Sequence, residues 1–349
     1  MTRPRRASRL LLLAALAAAA VAAAWPAPPA EAQAPILVRI ATLVPDGSSW
    51  HQILKETADK WKQLSGGRVV VRLFPGGVAG DDPDVVRKMR LGTLNGGVLT
   101  SVGIAEIDKS VYVTGIPLMY DSYDEVYWVL EKMRPKLEAS LEAKGFVVLN
   151  WADGGWVHFF ARKPVAVPDD LRKLKLFSWA GDAEAVQVWR SAGFNPVPLP
   201  STEISTALQT GLVEALGAPP QVTVISQYFT NAPYMTDFPW QLLQGGTVVT
   251  KATWDKIPAD IRPALLKAAQ EDGARLQKDV RDSEARDVEA MKKRGLTVVP
   301  VTPAQKAEWQ KLTESIYPQI RGKILPAEAF DEAMRYRDEY RRQRGAAGQ

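Results

Sequence analysis

Between Ile36 and Thr100 the chain reads strand, helix, strand, helix, strand, and this order limits the fold more than any other feature. ILVRIATL (Ile36 to Leu43) alternates and is β-branched, as a strand should be. Trp50, Ile53, Leu54, Ala58 and Trp61 then recur at helical spacing. VVVRLF (Val69 to Phe74) predicts a second strand. Asp82 followed by Pro83 starts a helix, because proline suits the first helical position and aspartate can cap free amides. That helix ends near Gly92, and an apolar strand follows around Val98 to Thr100. Such a succession predicts a parallel sheet with right-handed crossovers.

Tyr123 to Lys144 predicts another helix and FVVLNWA (Phe146 to Ala152) another strand, after which the pattern restarts. VHFFAR and KLKLFS read as strands, Asp182 to Ala192 and Ser201 to Thr210 as helices, and Val213 to Ala218 as a short strand. One long amphipathic helix is expected from Pro258 to about Arg294, with Pro263 tolerable only in its first turns. Strand LTVVPV and a capping box at Thr302 to Gln305 follow. Two α/β units with boundaries near 151–156 and 243–250 imply at least two chain crossings, which favours a hinged pair of domains with a cleft. The expected division is 33–153 with 248–300, then 154–247, with 301–349 packing across both. Ligands in open α/β sheets sit at the carboxyl ends of strands, where such a cleft would lie.

Residues 1–32 carry the marks of an export signal: basic MTRPRRASR, apolar LLLAALAAAAVAAA, and small residues in AEA before Gln33. Cleavage there would remove four arginines and one glutamate, leaving 40 basic against 38 acidic residues. The formal charge of +5 belongs mostly to that segment, and a nucleic-acid partner loses its main support. With no cysteine, neither a lipid anchor nor a disulfide is available. A soluble periplasmic protein is the expectation.

Catalytic patterns are absent: there is no G-x-S-x-G elbow, P-loop or zincin motif. The Gly-rich GGVAG (Gly76 to Gly80) lacks the dinucleotide fingerprint. His51 and His158 stand about a hundred residues apart, and Asp81, Asp82 and Asp84 suit a helix start better than a metal. Neither an enzyme, a cofactor nor a metal is expected.

Six stretches carry a family resemblance: IATLVPDGSSWHQILKETADKW, VRLFPGGVAGDD, LGTLNGGVLTS, LRKLKL, STEISTALQTGLVEA and TKATWDKIPADIRPALLKAA. Spanning nearly the whole chain after the signal, they resemble the DctP-type solute-binding proteins of tripartite ATP-independent periplasmic (TRAP) transporters. The resemblance implies an α/β, two-domain periplasmic-binding-protein (Venus flytrap) fold with a long domain-bridging helix. It also implies a small-molecule ligand delivered to membrane permease subunits, by a monomer or dimer, without ATP hydrolysis.

At the site the resemblance breaks down. Relatives carry an arginine after the GLK strand, where this chain has Phe177, and a second on the preceding strand, where it has Val157. Ala218, beside Gly217, replaces a ligand-touching asparagine, and Ser201 an aromatic platform. Thr100 occupies an often acidic or polar position next to Ser101, and Leu43 stands near a polar contact of the first strand. A bidentate arginine grips a carboxylate by charge-assisted hydrogen bonds. Without it, a buried carboxylate costs several kcal/mol, whereas apolar surface gains about 25 cal/mol per Å². Phe177, with Trp156 or Trp179 nearby, is therefore expected to line a cleft for an apolar or neutral ligand.

Alternatives stay open at this level. Phe177 is either cleft wall or core; Tyr228, Phe229, Phe238 and Trp240 are either pocket wall or second-domain core. Thr100 and Ser101 either bond ligand or end a strand. Arg162, Arg172 or Lys173 could restore acid binding from a new position, and a periplasmic sensor that transports nothing is the reading from another class.

Overall fold

The computed structural model describes residues 34–347, so the expected export segment lies outside the described residues. β1 (Ile36–Thr42) leads to α1 (Ser49–Leu64), β2 (Val69–Phe74), α2 (Asp82–Arg90) and β3 (Gly96–Thr100). β1 pairs in parallel with β2 and β3, as the alternation predicts. Ser48 caps α1 by accepting from the His51 amide. The cap of α2 is Asp81, one residue earlier than the sequence reading, and this shift turns Asp82 inward.

The chain beyond β3 includes α3 (Tyr123–Ala143), β4 (Phe146–Ala161), β5 (Lys175–Trp179), α4 (Ala183–Ser191), β6 (Asn195–Leu199) and β7 (Ala215–Ala218). It continues with β8 (Tyr234–Thr236), β9 (Gln241–Thr250), α5 (Arg262–Lys292), β10 (Thr297–Val299), α6 (Pro303–Gln319) and α7 (Ala327–Ala347). The strand order is β2-β1-β3-β9-β4-β7-β5-β6, with β8 also on β4 and β10 on β8. One lobe is built on β2-β1-β3-β9 and the start of β4; the other holds the end of β4 with β5 to β8 and β10. This is the two-domain flytrap with its long helix.

Two expectations change. The segments read as separate strands around residue 152 form one 16-residue strand, β4. Gly155, at φ +98°, accommodates a register shift between Asp153 and Trp156, so the chain bulges there and does not break. The predicted parallel sheet is mixed, because β9 inserts antiparallel between β3 and β4. β4 and β9 stay paired from Phe146–Thr250 to Val157–Gln241, and together they carry the chain between the lobes.

α5 begins at Arg262, with Pro263 in its first turn, and its 31 residues span about 46 Å. It packs along β4 and against α1. Gly273 permits the close approach: a Cβ there would stand 2.9 Å from that of Asn150. Trp61 Nε1 donates to Leu265 O and Asn150 Nδ2 to Ala269 O, tying helix to sheet. Several tryptophans are accounted for by core packing. Trp309 stacks on Phe159 at 5.3 Å and Trp189 on Trp240 at 5.8 Å.

Where β9 crosses its neighbours, Gly245 and Gly246 bring main chain against main chain. A Cβ on Gly245 would stand 2.5 Å from Leu99 O, and one on Gly246 2.6 Å from Asn150 O. Neither carbonyl can yield without breaking strand pairing. Gly245→Ala is expected to destabilise the protein by about 3 kcal/mol. Urea unfolding measures this; a loss below about 1 kcal/mol would mean the strands are not so tightly apposed.

Candidate ligand-binding cleft

A cavity of about 380 Å³ opens where the carboxyl ends of β1, β3, β5 and β7 converge, in the size range of small-molecule sites. Its wall is mostly apolar: Leu43, Val98, Leu216, Val222, Leu243 and Leu276 line it with Trp50, Phe177, Trp179 and Tyr228. Phe177 and Trp179 stand two apart on β5 and therefore share a face. Their rings meet edge-on at 6.3 Å. This answers the alternatives left open for the aromatics: Phe177 and Tyr228 are wall, while Phe229, Phe238 and Trp240 are core.

Thr100, Ser201, Gly217, Ala218 and Leu43 also line the cavity. Three expected contacts are placed elsewhere. Trp156 is buried against Tyr123, ring to ring at 5.3 Å. Val157 is buried under β7, with Cγ1 3.0 Å from where a Cβ of Gly217 would stand. Both follow the bulge, so an offset counted along the sequence misplaces them. Ser101 begins a short helix (Ser101–Ala105) behind Thr100 and is buried.

Among the described residues no lysine, arginine or histidine lines the cavity, and the one acidic residue there, Asp153, has a fully buried side chain. The basic residues considered as replacements are committed to other partners. Arg162 donates to the Leu208 and Gln209 carbonyls, Arg172 to Asp169 and Ala192 O, and Lys173 to Asp170. His158 Nδ1 lies 3.0 Å from Thr236 O, and Nδ1 of His51 accepts from the Gly47 amide.

The acidic pair at the start of α2 is divided between two tasks. Asp81 reaches across the cleft mouth, where its carboxylate accepts from Ser201 N and Oγ, both at 2.7 Å. Tyr112 donates to Asp182 at 2.8 Å and Lys109 pairs with Glu184, two further links between the lobes. Asp82 is fully buried and accepts at Oδ2 from Thr100 N and Oγ1, while its Oδ1 has no partner. Burial pushes its pKa up to about 7 against the pull of those bonds, and the charge of Asp81 adds to the rise.

Sequence reasoning passed over Asp153 and Gln244, which are cross-strand partners at the lobe crossing and both line the cavity. A polar residue inside an otherwise apolar strand, just before Gly154, was the available signal. Trp50 also lines the cavity, although its spacing marked it as helix core.

An interlobe cavity at strand ends, spanned by a long helix, defines a periplasmic-type binding protein. The family described as "Bacterial extracellular solute-binding protein, family 7" (DctP) matches residues 40–323, and the chain belongs to that family of TRAP solute-binding proteins. It is 26% identical over 253 residues to the 2,3-diketo-L-gulonate-binding periplasmic protein YiaO of Escherichia coli K12, covering 72% of this chain and 77% of that one. It is 25% identical to the C4-dicarboxylate-binding periplasmic protein DctP of Rhodobacter capsulatus, covering 85% and 89%. The sugar acid binding protein DctPAm of Advenella mimigardefordensis, solved with galactonate, shares the fold at TM-score 0.81 and 22% identity, over 87% and 98%. Members of the family bind solutes for transport. No helix among the described residues is long and apolar enough to cross a membrane.

Proposed function

We propose that this chain captures an apolar or weakly polar solute in the periplasm and delivers it to a TRAP permease, without catalysing a reaction. Binding shifts an open–closed equilibrium of the lobes, and the permease meets the closed form. Asp81 on Ser201 and Tyr112 on Asp182 are contacts made only when the lobes are together. The observation that carries the ligand class is the cavity wall, with its four aromatic residues and no cationic side chain among the described residues. A carboxylate enclosed there would lack a counter-charge, at a cost of several kcal/mol.

The relatives named above take acids, and this favours a second reading in which an acid is held without a basic side chain. Thermal-shift screening separates the two. An apolar solute at a hundred times its Kd should add about 2.7 kcal/mol of stability, and sugar acids or dicarboxylates little. Native mass spectrometry of gently purified protein should find a co-purifying apolar molecule. Tight, selective stabilisation by sugar acids or dicarboxylates would overturn the proposal.

A further inference from the structure

β5 pairs with β6 along its whole length, as far as Trp179 and Leu199, and β7 pairs with β4 along its whole length. Against each other β5 and β7 pair, among the described residues, at Leu176 and Ala215 alone. Beyond that point the two strands draw apart. Phe177 and Trp179 line the cavity on one side of the gap, and Leu216, Gly217 and Ala218 on the other. Gly217 is exposed although it lies inside a strand. It has no side chain, so what the cavity reaches there is main chain.

The strand pattern decides which main-chain groups face the gap. Residues along a paired strand turn their N–H and C=O alternately to one neighbour and the other. Arg162 N donates to Glu214 O, a bond to β4 that sets Leu216 and Ala218 toward β4 and Ala215 and Gly217 toward β5. Ala180 N donates to Leu199 O, which sets Ser178 toward β6 and Phe177 and Trp179 toward β7. Continued pairing would place the Gly217 N–H on Phe177 O and the Trp179 N–H on Gly217 O. The ladder ends one rung earlier, so each edge brings a donor and an acceptor to the gap.

An open rung of this kind is completed by a group that donates and accepts in the spacing of a peptide, as an added strand does. A secondary amide does both. An ester only accepts and an ammonium only donates. A carboxylate also only accepts, and it would find no cation among the described residues of this wall.

Building on the proposed function, we infer that the cargo is an apolar molecule carrying a neutral amide, which enters between β5 and β7 and is read by the main chain at Gly217. The test is isothermal titration calorimetry of the mature protein with four probes of similar shape: N-methyl-2-(1-naphthyl)acetamide, methyl 1-naphthylacetate, 1-ethylnaphthalene and the 1-naphthylacetate anion. The amide should bind at least about tenfold more tightly than its ester, the worth of one neutral hydrogen bond, and more tightly still than the hydrocarbon. In protein labelled with 15N-glycine, the amide probe should shift the Gly217 resonance, identified by its loss in Gly217→Ala. Should that variant fold poorly, calorimetry on the wild-type protein decides alone. Equal binding of amide and ester, or an unmoved Gly217 resonance while the amide binds, overturns the amide inference and leaves the apolar cleft standing. A preference for the anion overturns both, and failure of all four to bind overturns the inference.

Discussion

Phe177→Arg should invert the selectivity of the cleft. A guanidinium at the end of β5 would stand among Trp179, Tyr228 and Leu216 on the cavity wall. Apolar probes should then bind at least a hundredfold more weakly, since closing on them would desolvate a charge with no partner. Organic acids should gain by a similar factor through charge-assisted hydrogen bonds. Calorimetry with one probe of each kind reads both changes. An unchanged preference would show that position 177 does not face ligand and would remove the central support for an apolar cargo.

Asp82→Asn should flatten the pH dependence of stability. An aspartate in the unfolded chain loses its proton near pH 4, whereas buried Asp82 keeps it to about 7. Between those values the folded state holds a proton that the unfolded state has released. Stability therefore falls as pH rises through this window, by about 1.4 kcal/mol per unit and about 4 kcal/mol in all from this group. Asp153 and Asp182 are also raised by burial and act with the same sign, so the wild-type slope has several contributors. The difference between wild type and Asp82→Asn isolates one of them. Urea unfolding at pH 5 and 7 should give a difference about 2 kcal/mol smaller in the variant, since folded Asp82 is half ionised by pH 7. Parallel profiles would mean that Asp82 ionises normally and is not sealed behind Thr100.

The first three strands were legible because β1 alternates, β2 and β3 are short apolar runs between turn glycines, and Asp-Pro marks the start of the helix between them. β9 was not, since QLLQGGTVVT interrupts its apolar run with glutamine and two glycines that serve close packing. The bulge in β4 was equally hidden. Gly154-Gly155 looks like the end of a strand, and only the pairing with β9 shows that the strand continues. That error propagates: Trp156 and Val157 were expected at the cleft by counting residues, and the bulge carries them into the core. Phe177 and Trp179 were legible together because a strand of known direction puts alternate residues on one face. Asp153 and Gln244 escaped because polar residues at a predicted strand end look like a turn, and their pairing exists only in three dimensions.

Some of the binding chamber is bare main chain: Gly154, Gly217, Gly245 and Gly246 are all part of its surface. Such a floor cannot be trimmed by mutation, because there is nothing left to remove, and at Gly245 and Gly246 it cannot be built up without prising strands apart. Drift in cargo preference is therefore channelled to the rim, where Leu43, Phe177, Trp179 and Ser201 can be exchanged while the platform beneath them stays put.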